Sequence, residues 1–389
     1  MEKKEYCTGC GLCENFQLCK LDKDSKGYLY PEEYNDELET FAKKICPFTK
    51  KRDTTKLNSI WGNYHMLYKG YSNDEYIRTK ASSGGVLTEI CIYLLKNKLI
   101  DGVIQTTYDR NNPMQNVTTC STSMVQIVNC SGSRYASSNP LRHLNKLVVT
   151  GKKYAFVGKP CDIIALRNYI KEYGYLKNEI KYFFSFFCAG VPSDEANKKL
   201  LEKMGCNINE CMSLNYRGDG WPGFTKATDI NGKEYQLDYN SSWMNFLGRD
   251  IRKCCKFCFD SIGEASDISC GDFWNLTVDN KPDFSNSDGI NAVFSWTDVG
   301  DDLIKQLRDD GIIHLETYSK IEEELIYAQP NHRSRRSTML SRLIALKLFG
   351  LDIPSYSCRT LISASKYSDI LYQLKSFKGT VDRIRKNNI

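Results

Sequence analysis

Three cysteines near the start of the chain, Cys7, Cys10 and Cys13, are each separated from the next by two residues. This spacing lets one short loop present three thiolates to a cubane iron–sulfur cluster, with backbone N–H groups directed at its sulfides. Three ligands leave one iron without a protein ligand. Cys46, in the sequence ICPF, has the following proline that is typical of the distant fourth ligand. We therefore predict a 4Fe-4S cluster held by these four cysteines.

A further cysteine of this segment, Cys19, has no following proline. We expect that it is not a ligand, because the chain lacks the second run of three cysteines whose cluster it would serve. A zinc site is the alternative interpretation of the segment. Zinc sites favour separate pairs of Cys-x2-Cys motifs, however, whereas three cysteines in one Cys-x2-Cys-x2-Cys run favour an iron–sulfur cluster.

The composition suits reduced thiols. The chain has 17 cysteines in 389 residues, and no apolar run approaches the ~18 residues of a membrane-spanning helix. Its basic start is not followed by the apolar segment of a secretory leader. We therefore expect a cytoplasmic protein without a membrane span, in which clustered thiols act as metal ligands or redox groups. The net charge of +6, from 53 basic and 47 acidic residues, is too small to indicate a nucleic-acid-binding protein.

A stretch rich in serine and glycine precedes a helical pattern. Apolar residues at helical spacing predict a helix from about Val86 to Leu95, followed by the strand GVIQTTY. Small residues at a helix start expose N–H groups to an anion such as a nucleotide phosphate, and an ordinary serine N-cap is the alternative. The stretch consists of Ser82, Ser83, Gly84 and Gly85.

Two later units place a cysteine where a strand gives way to a helix. Cys161 follows the strand YAFVG, and Cys188 ends the apolar strand IKYFFSFFC before a helix capped by Ser193. The carboxyl ends of parallel strands share one edge of a sheet, so we expect these thiols to lie at that edge. Burial as inert core residues is the alternative. Cys255 and Cys258, in CKFC, supply a further pair of thiols.

Five motifs then follow one another along the chain: KASSGGVLTEICIYLLKNKLIDGVI, GSRYASS, YAFVGKPCDIIALRN, FFCAGVPS and CKFCFDSIGEASDISCGDFWN. In this order they resemble the coenzyme F420 hydrogenase/dehydrogenase beta subunit family, whose relatives include plant hydroxymethyl chlorophyll a reductases. The resemblance extends from about residue 3 to about residue 280. It implies an FAD-binding iron–sulfur oxidoreductase. In such a protein, electrons pass between a partner subunit or ferredoxin, 4Fe-4S clusters and FAD, which exchanges hydride with a small organic acceptor.

The resemblance also implies which residues hold the cofactors. A second 4Fe-4S cluster would be held by Cys161, Cys188, Cys255 and Cys258, with Cys254 open as a replacement for Cys255. Flavin contacts would come from residues 82–85 and from Ser133, Arg134, Tyr135 and Ser137 in GSRYASS. Cys270 is expected only to pack. None of the four histidines has a convincing acid–base partner, so catalytic residues stay unassigned.

These patterns together predict an α/β protein of the mixed α+β type. We expect a small ferredoxin-like 4Fe-4S domain at 1–52, an FAD-binding part at 53–150 and a part with the second 4Fe-4S site at 151–330. A C-terminal helical region follows at 331–389. The dipeptide Asn231-Gly232 between two β-like runs predicts a hairpin, which adds antiparallel strands to the body.

Three functions fit the sequence. The first is a reductase that works alone with electrons from ferredoxin, and the second is an electron-transfer subunit of a larger hydrogenase or dehydrogenase. The third is a zinc-stabilised binding protein without redox activity. A homo-oligomer is compatible with all three. The basic stretch with Arg333, Arg335, Arg336 and Arg342 could contact an acidic ferredoxin or substrate phosphates, or it could belong to a packed helix with a solvated charged face.

Overall fold

The computed structural model describes residues 3–50 and 56–386. Its strands are β1 (Leu21–Lys23), β2 (Leu29–Pro31), β3 (Met66–Ser72), β4 (Gly102–Asp109), β5 (Asn112–Ser121), β6 (Tyr154–Gly158), β7 (Ile180–Phe186), β8 (Cys211–Asn215), β9 (Phe224–Asp229), β10 (Glu234–Asp238), β11 (Ile268–Asp272), β12 (Asn291–Ser295) and β13 (Ile313–Glu316).

The first eight helices are α1 (Leu12–Asn15), α2 (Asp36–Ile45), α3 (Glu75–Lys80), α4 (Val86–Lys96), α5 (Met124–Asn129), α6 (Leu144–Leu147), α7 (Pro160–Tyr173) and α8 (Asp194–Met204). They are followed by α9 (Tyr239–Ser241), α10 (Lys253–Lys256), α11 (Asp298–Asp309), α12 (Ile321–Ala328), α13 (Pro330–Ser337), α14 (Met339–Leu348), α15 (Cys358–Ser365) and α16 (Ile370–Arg385). Within the described ranges, none of these helices is long and apolar enough to span a membrane.

An eight-stranded mixed sheet forms the centre of the protein, in the order β13-β3-β12-β11-β7-β6-β4-β5. The four central strands β11, β7, β6 and β4 run parallel, whereas the outer strands pair antiparallel. Because neighbouring parallel strands end on the same side, the loops after β6 and β7 meet at one edge. The predicted mixed α/β class is confirmed, as are the helix that begins at Val86 and the strand that follows it.

Local sequence explains how the two cysteine-bearing units fold. Pro160 occupies the first turn of α7, where its missing N–H costs nothing. Ser193 caps α8, as expected, by accepting a hydrogen bond from the N–H of Ala196. Strand β7 ends at Phe186, so Cys188 lies in the loop after the strand instead of ending it. The reason is that the N–H of Cys188 donates to the carbonyl of Ser261, outside the ladder of the sheet.

The predicted hairpin is present as β9 and β10, which pair antiparallel and extend into a three-stranded sheet with β8. Gly232 has φ +79°, a conformation that glycine adopts without a steric penalty. The carboxylate of Asp229 accepts hydrogen bonds from the N–H groups of Asn231 and Lys233. This side chain therefore holds the loop in place.

The N-terminal segment packs directly on the body. Leu12, Leu38 and Ile45 belong to the same hydrophobic cluster as Phe156 of β6 and Ile163 of α7. A two-stranded sheet of β1 and β2 completes the segment. The expected domain boundary after residue 52 lies outside the described residues, and the packing means that the segment shares its core with the sheet.

The C-terminal helices cover the loop that carries Cys255 and Cys258. Met339 and Leu343 of α14 pack against Phe257 and Phe259 of that loop in one buried cluster. Arg336 of α13 is fully buried beneath them and forms an ion pair with Glu264 at 2.5 Å. Its Nε also donates to the carbonyl of Ile60 at 2.6 Å. A buried cation thus connects the C-terminal helices to the segments that carry Ile60 and Glu264.

We predict that Arg336→Ala lowers the free energy of unfolding by about 3–5 kcal/mol, because the change removes one partner of a buried ion pair and leaves a carbonyl without a donor. Urea denaturation would measure the change. Arg385→Ala, at the exposed end of α16, is the matched control and should change stability by less than about 0.5 kcal/mol. A loss below about 1 kcal/mol for Arg336→Ala would contradict the proposed anchoring role.

Candidate functional site

The first four predicted ligands, called the outer set, are Cys7, Cys10, Cys13 and Cys46. Three of them lie on the loop that precedes and enters α1, and the fourth follows α2 directly. Asn35 caps α2 at its start, and the helix then carries the chain back to the loop. The N–H of Gly9 donates to Cys7 Sγ at 3.3 Å, as expected for a loop whose amides point at sulfur.

The outer thiols are close enough to influence one another. Burial raises the pKa of Cys46 well above its ordinary value, and the thiols of Cys10 and Cys7 raise it further. Burial also raises the pKa of Cys10 to about 12. The pKa of Cys13 is raised by a hydrogen bond with Cys19, by burial and by Cys10 and Cys7. The structure therefore brings the four predicted ligands together.

Cys19, which the sequence leaves outside the cluster, lies beside this set. Its Sγ is 3.2 Å from Cys13 Sγ, and the two thiols share a hydrogen bond. Both side chains are partly exposed. Cys19 is therefore close to the outer set. That it is not a ligand stays a prediction.

The remaining four predicted ligands, called the inner set, are Cys161, Cys188, Cys255 and Cys258. All four line one small cavity, here the inner cavity, together with Cys254. Burial raises the pKa of Cys188 to about 11, and it raises the pKa of Cys161 well above its ordinary value. Cys161, at the start of α7, and Cys188, in the loop after β7, lie together at one edge of the sheet, as expected.

Cys254 and Cys255 differ in their surroundings although they are adjacent. Cys254 is 2 % exposed and packs in a hydrophobic cluster with Phe257 and Met339. A hydrogen bond between the two thiols raises the pKa of Cys254 and lowers that of Cys255. The hydrogen bond therefore favours ionisation of Cys255 over ionisation of Cys254.

Two cations border the inner cavity, and the sequence interpretation had assigned neither to it. Lys159 is 8 % exposed, and its Nζ contacts Asp162 at 2.7 Å and Ser138 Oγ at 2.6 Å. Burial alone would lower its pKa, but the Asp162 carboxylate and the Cys161 thiol raise it. Arg335 lines the same cavity and donates from Nη2 to the carbonyl of Ala189 at 2.8 Å.

The arginines of the basic stretch therefore do not form one docking surface. Arg336 is buried, Arg335 borders the inner cavity, and Arg342 donates to the hydroxyl of Ser376 on α16. Burial, together with Arg335 and Arg383, lowers the pKa of Arg342 to about 10. Arg336 is therefore excluded from a docking surface for an acidic ferredoxin, because it is buried. Contact of the other arginines of the stretch with a partner stays a prediction.

A second cavity, of about 330 Å³ and here called the large cavity, lies against the same edge of the sheet. A volume of this size is typical of sites for small molecules and cofactors. Six of the eight predicted flavin contacts line it, namely Ser82, Ser83, Gly85, Ser133, Arg134 and Tyr135. Ser82 Oγ accepts a hydrogen bond from the N–H of Ser133 at 2.5 Å, which joins the two predicted stretches.

Gly84 and Ser137 lie outside the residues that line the large cavity. A Cβ on Gly84 would lie 2.7 Å from the carbonyl oxygen of Gly70 and 2.8 Å from Asn291 Oδ1, so this glycine allows close packing on the sheet. Helix α4 has Gly85 at its N-cap and no side-chain cap. The alternative of an ordinary serine cap is therefore wrong, because the hydroxyl of Ser83 donates to the carbonyl of Ile290 instead.

Arg134 lines the large cavity, but its guanidinium group is occupied by protein acceptors. Its Nε donates to Asn116 Oδ1 at 2.9 Å, and its Nη atoms donate to the carbonyls of Leu214 and Pro113 at 2.5 and 2.6 Å. Burial lowers its pKa. Arg134 therefore connects β5 to β8. Only the N–H groups that these hydrogen bonds do not use are available to a ligand. Tyr135 contacts Trp243 at 4.9 Å between ring centroids.

Another part of the large cavity is aromatic and contains a buried ion pair. Arg217 forms a bidentate contact with Asp272 at 2.9 and 3.0 Å, and Trp221 Nε1 donates to the same carboxylate at 2.8 Å. Arg217, Asp272, Tyr239 and Trp274 all line the cavity. This region offers flat apolar surface beside fixed charges. Sequence reasoning missed the pair, since 55 residues separate its members.

His332 also lines the large cavity, and its ring approaches Ser261 Oγ at 2.9 Å through Nδ1. Burial, with Arg335 and Arg336 nearby, lowers its pKa to about 3. A neutral histidine is therefore expected there at ordinary pH. Asp162 lines the cavity as well, and its Oδ1 is buried without a hydrogen-bond partner. A bound ligand could satisfy this atom.

The chain is similar in sequence and in fold to known proteins. Sequence profiles of the coenzyme F420 hydrogenase/dehydrogenase beta subunit match residues 67–145 for its N-terminal part and 151–321 for its C-terminal part. The coenzyme F420 hydrogenase subunit beta of Methanococcus voltae is 23% identical over 299 residues, which cover 76% of this chain and 99% of the relative.

A rice protein named 7-hydroxymethyl chlorophyll a reductase is 22% identical over 269 residues, which cover 69% of this chain and 54% of the relative. Among solved structures, a chain of the F420-reducing [NiFe] hydrogenase complex from Methanosarcina barkeri has the same fold. Its TM-score is 0.58 at 19% identity, and the match covers 77% of this chain and 98% of the other.

The two family profiles together span the large sheet, the inner set and most of the residues around the large cavity. All five motifs lie within the matched ranges. The chain belongs to the coenzyme F420 hydrogenase/dehydrogenase beta subunit family.

Proposed function

We propose that this chain is an electron-transfer subunit of an oxidoreductase, with one 4Fe-4S cluster on each cysteine set and FAD in the large cavity. The observation that carries the proposal is a shared wall. Lys159, Cys188, Gly190 and Val191 line both the inner cavity and the large cavity. A redox group held by the inner set would therefore lie next to a ligand in the large cavity.

Residues that neighbour the outer set in the sequence also line the inner cavity. Thr8, which lies between Cys7 and Gly9 on the outer loop, lines the inner cavity, and so does Phe48, two residues after Cys46. These contacts support an order of outer set, inner set and large cavity. We propose that a partner subunit or a ferredoxin approaches the outer set, which is remote from the large cavity in this order.

FAD can exchange hydride with an organic acceptor and exchange electrons singly with 4Fe-4S clusters, which is the chemistry these cofactors would supply. The chain itself contributes orientation and shielding. The first turn of α4 and the hydroxyls of Ser82 and Ser133 offer polar contacts to a phosphate-bearing ligand. The aromatic region around Trp274 and Tyr239 would exclude water from a flat acceptor, which we propose to be a small molecule.

A structural zinc ion fits these cysteines less well. Four thiolates around one zinc ion at about 2.3 Å require sulfur atoms within roughly 4 Å of one another. Among the residues that the structure describes, the group of three ligand side chains whose ligand atoms all lie within 4.8 Å of one another is His65, Asp298 and Asp301, which contains no cysteine. A cluster does not require such close sulfur atoms, because its four ligands bind four different irons.

The named relatives favour a subunit over a reductase that works alone. Several are beta subunits of F420 hydrogenase, and one is a subunit of an F420-dependent formate dehydrogenase. The rice relative named as a reductase keeps a reductase that works alone as a second candidate function. Substrate reduction by the isolated chain with reduced ferredoxin would support the reductase, whereas activity only after addition of a partner subunit would support the proposal.

We predict that protein purified without oxygen contains about eight irons and one FAD per chain, as two cubane clusters and one flavin require. Iron analysis and the visible spectrum measure both. Stoichiometric zinc with negligible iron would end the iron–sulfur proposal, and full iron without flavin would end only the assignment of the large cavity.

The outer set can be tested by comparing two cysteines of the same segment. Cys10→Ser should lose about half of the iron, since it removes a cluster ligand, whereas Cys19→Ser should keep nearly all of it. Iron content and the visible spectrum are measured for both variants under anaerobic conditions. Equal losses from the two variants would show that Cys19 is a ligand and that the choice of Cys46 is wrong.

The inner set offers a matched pair of adjacent thiols. Cys255→Ala should lose about half of the iron, because Cys255 is one of the four proposed ligands of the inner cluster, whereas Cys254→Ala should retain the iron. Cys254 packs in the hydrophobic core, so its removal should cost stability only. The reverse pattern, measured by iron analysis of both variants, would assign the ligand to Cys254.

A further inference from the structure

Arg252 reaches from the loop of the inner set to the loop of the outer set. Its carbonyl accepts the N–H of Cys255 at 3.0 Å, so its backbone belongs to the inner loop. Its guanidinium lies at Gly9, where an added Cβ would be 2.7 Å from Nη1. The N–H of that same Gly9 donates to Cys7 Sγ. One side chain therefore spans the two cysteine sets.

The surroundings of this guanidinium are unusual for a buried cation. Arg252 is 2 % exposed, and its Nη2 donates to the carbonyl of Leu29 at 2.5 Å. The ring of Tyr30 lies 4.1 Å from the guanidinium carbon. Its Nε has no hydrogen-bond partner, and among the described residues no carboxylate lies within ion-pair distance of it. A buried cation without a counter-charge is unfavourable, so its neighbours should carry negative charge.

Thiols are the groups that can supply this charge. Cys7 lies two residues before Gly9 on the outer loop. Cys254 and Cys255 lie two and three residues after Arg252. A thiol of the outer set and a thiol of the inner set therefore lie on the two loops that this side chain joins.

We propose that Arg252 is an electrostatic bridge between the two cysteine sets, a positioning residue that favours the reduced, more negative state of a cluster on either set. This inference rests on the proposed function, since it requires both clusters. Reduction adds one electron from an external donor and forms or breaks no bond in the chain. The fixed positive charge favours that electron wherever it resides, because screening is weak in a buried site.

The sequence context distinguishes this arginine from its neighbours. Lys253 forms an ion pair with Glu5, and Arg249 is exposed and donates to the carbonyl of Met244. Their charges are therefore neutralised or solvated. Arg252 is the buried member of the segment that lies at both loops, and its removal should affect both cluster potentials.

The experiment compares the full-length, anaerobically purified Arg252→Gln, Arg252→Lys and Arg249→Gln proteins with the wild type. Reduction by dithionite at controlled potential is followed by electron paramagnetic resonance, with iron content measured in parallel. At the wild-type midpoint of each cluster, Arg252→Gln should lower the ratio of reduced to oxidised cluster by about tenfold. Arg252→Lys should restore most of the ratio, and Arg249→Gln should leave it unchanged.

Unchanged ratios in an iron-replete Arg252→Gln protein, or a change at one cluster only, would overturn the bridge. If Arg252→Gln loses iron, recovery in Arg252→Lys supports the role of charge, and failure to recover assigns Arg252 to packing and overturns the proposal. A wild-type protein without two cluster signals would instead contradict the proposed function, and that result is separate from any effect of the variants.

Discussion

Enclosing many thiols next to one another is the constraint on which the rest of the structure depends. A thiol removed from water resists ionisation, and burial raises the pKa of Cys10, Cys46, Cys161 and Cys188. The proposed clusters would bind ionised thiolates, which nearby positive charge favours. Lys159 and Arg335 line the inner cavity, and the guanidinium of Arg252 lies at Gly9 of the outer loop.

The sheet makes this arrangement possible. Strands β6 and β7 end side by side, and the loops that follow them carry Cys161 and Cys188 to one edge. The same edge borders the large cavity, so the two sites share Lys159 and Cys188 as wall residues. The N-terminal segment is fixed against α7 by its own apolar residues, which holds the outer loop next to the inner cavity. Packing of apolar side chains thus determines the distances between groups that carry charge.

Sequence patterns predicted several elements near the candidate site, because spacing and turn chemistry are local. The step from β6 to Cys161, the cap at Ser193 and the hairpin at Gly232 all follow from neighbouring residues. Long-range packing was not predictable in the same way. Arg336 looks like a solvated residue of a basic helix, yet α13 turns it into the core against Glu264.

The roles of single polar and charged side chains depended most on tertiary contacts. Arg252 stands in the sequence RKCCK as one of several cations, and only the fold brings its guanidinium to Gly9. Arg134 was expected at the flavin, and it does line the cavity, but its donors are taken by carbonyls of Leu214 and Pro113. Ser83 likewise bonds to the neighbouring strand segment instead of capping α4. Each outcome is set by a partner far away in the sequence.

We propose that the outer set and the inner set each hold an iron–sulfur cluster, and that the inner cluster adjoins the large cavity. Anomalous diffraction at the iron absorption edge, from crystals grown without oxygen, tests this most directly because it locates iron without reference to activity. We expect two iron peaks, one within Cys7, Cys10, Cys13 and Cys46 and one within Cys161, Cys188, Cys255 and Cys258. A single peak, or a signal only at the zinc edge, would contradict it.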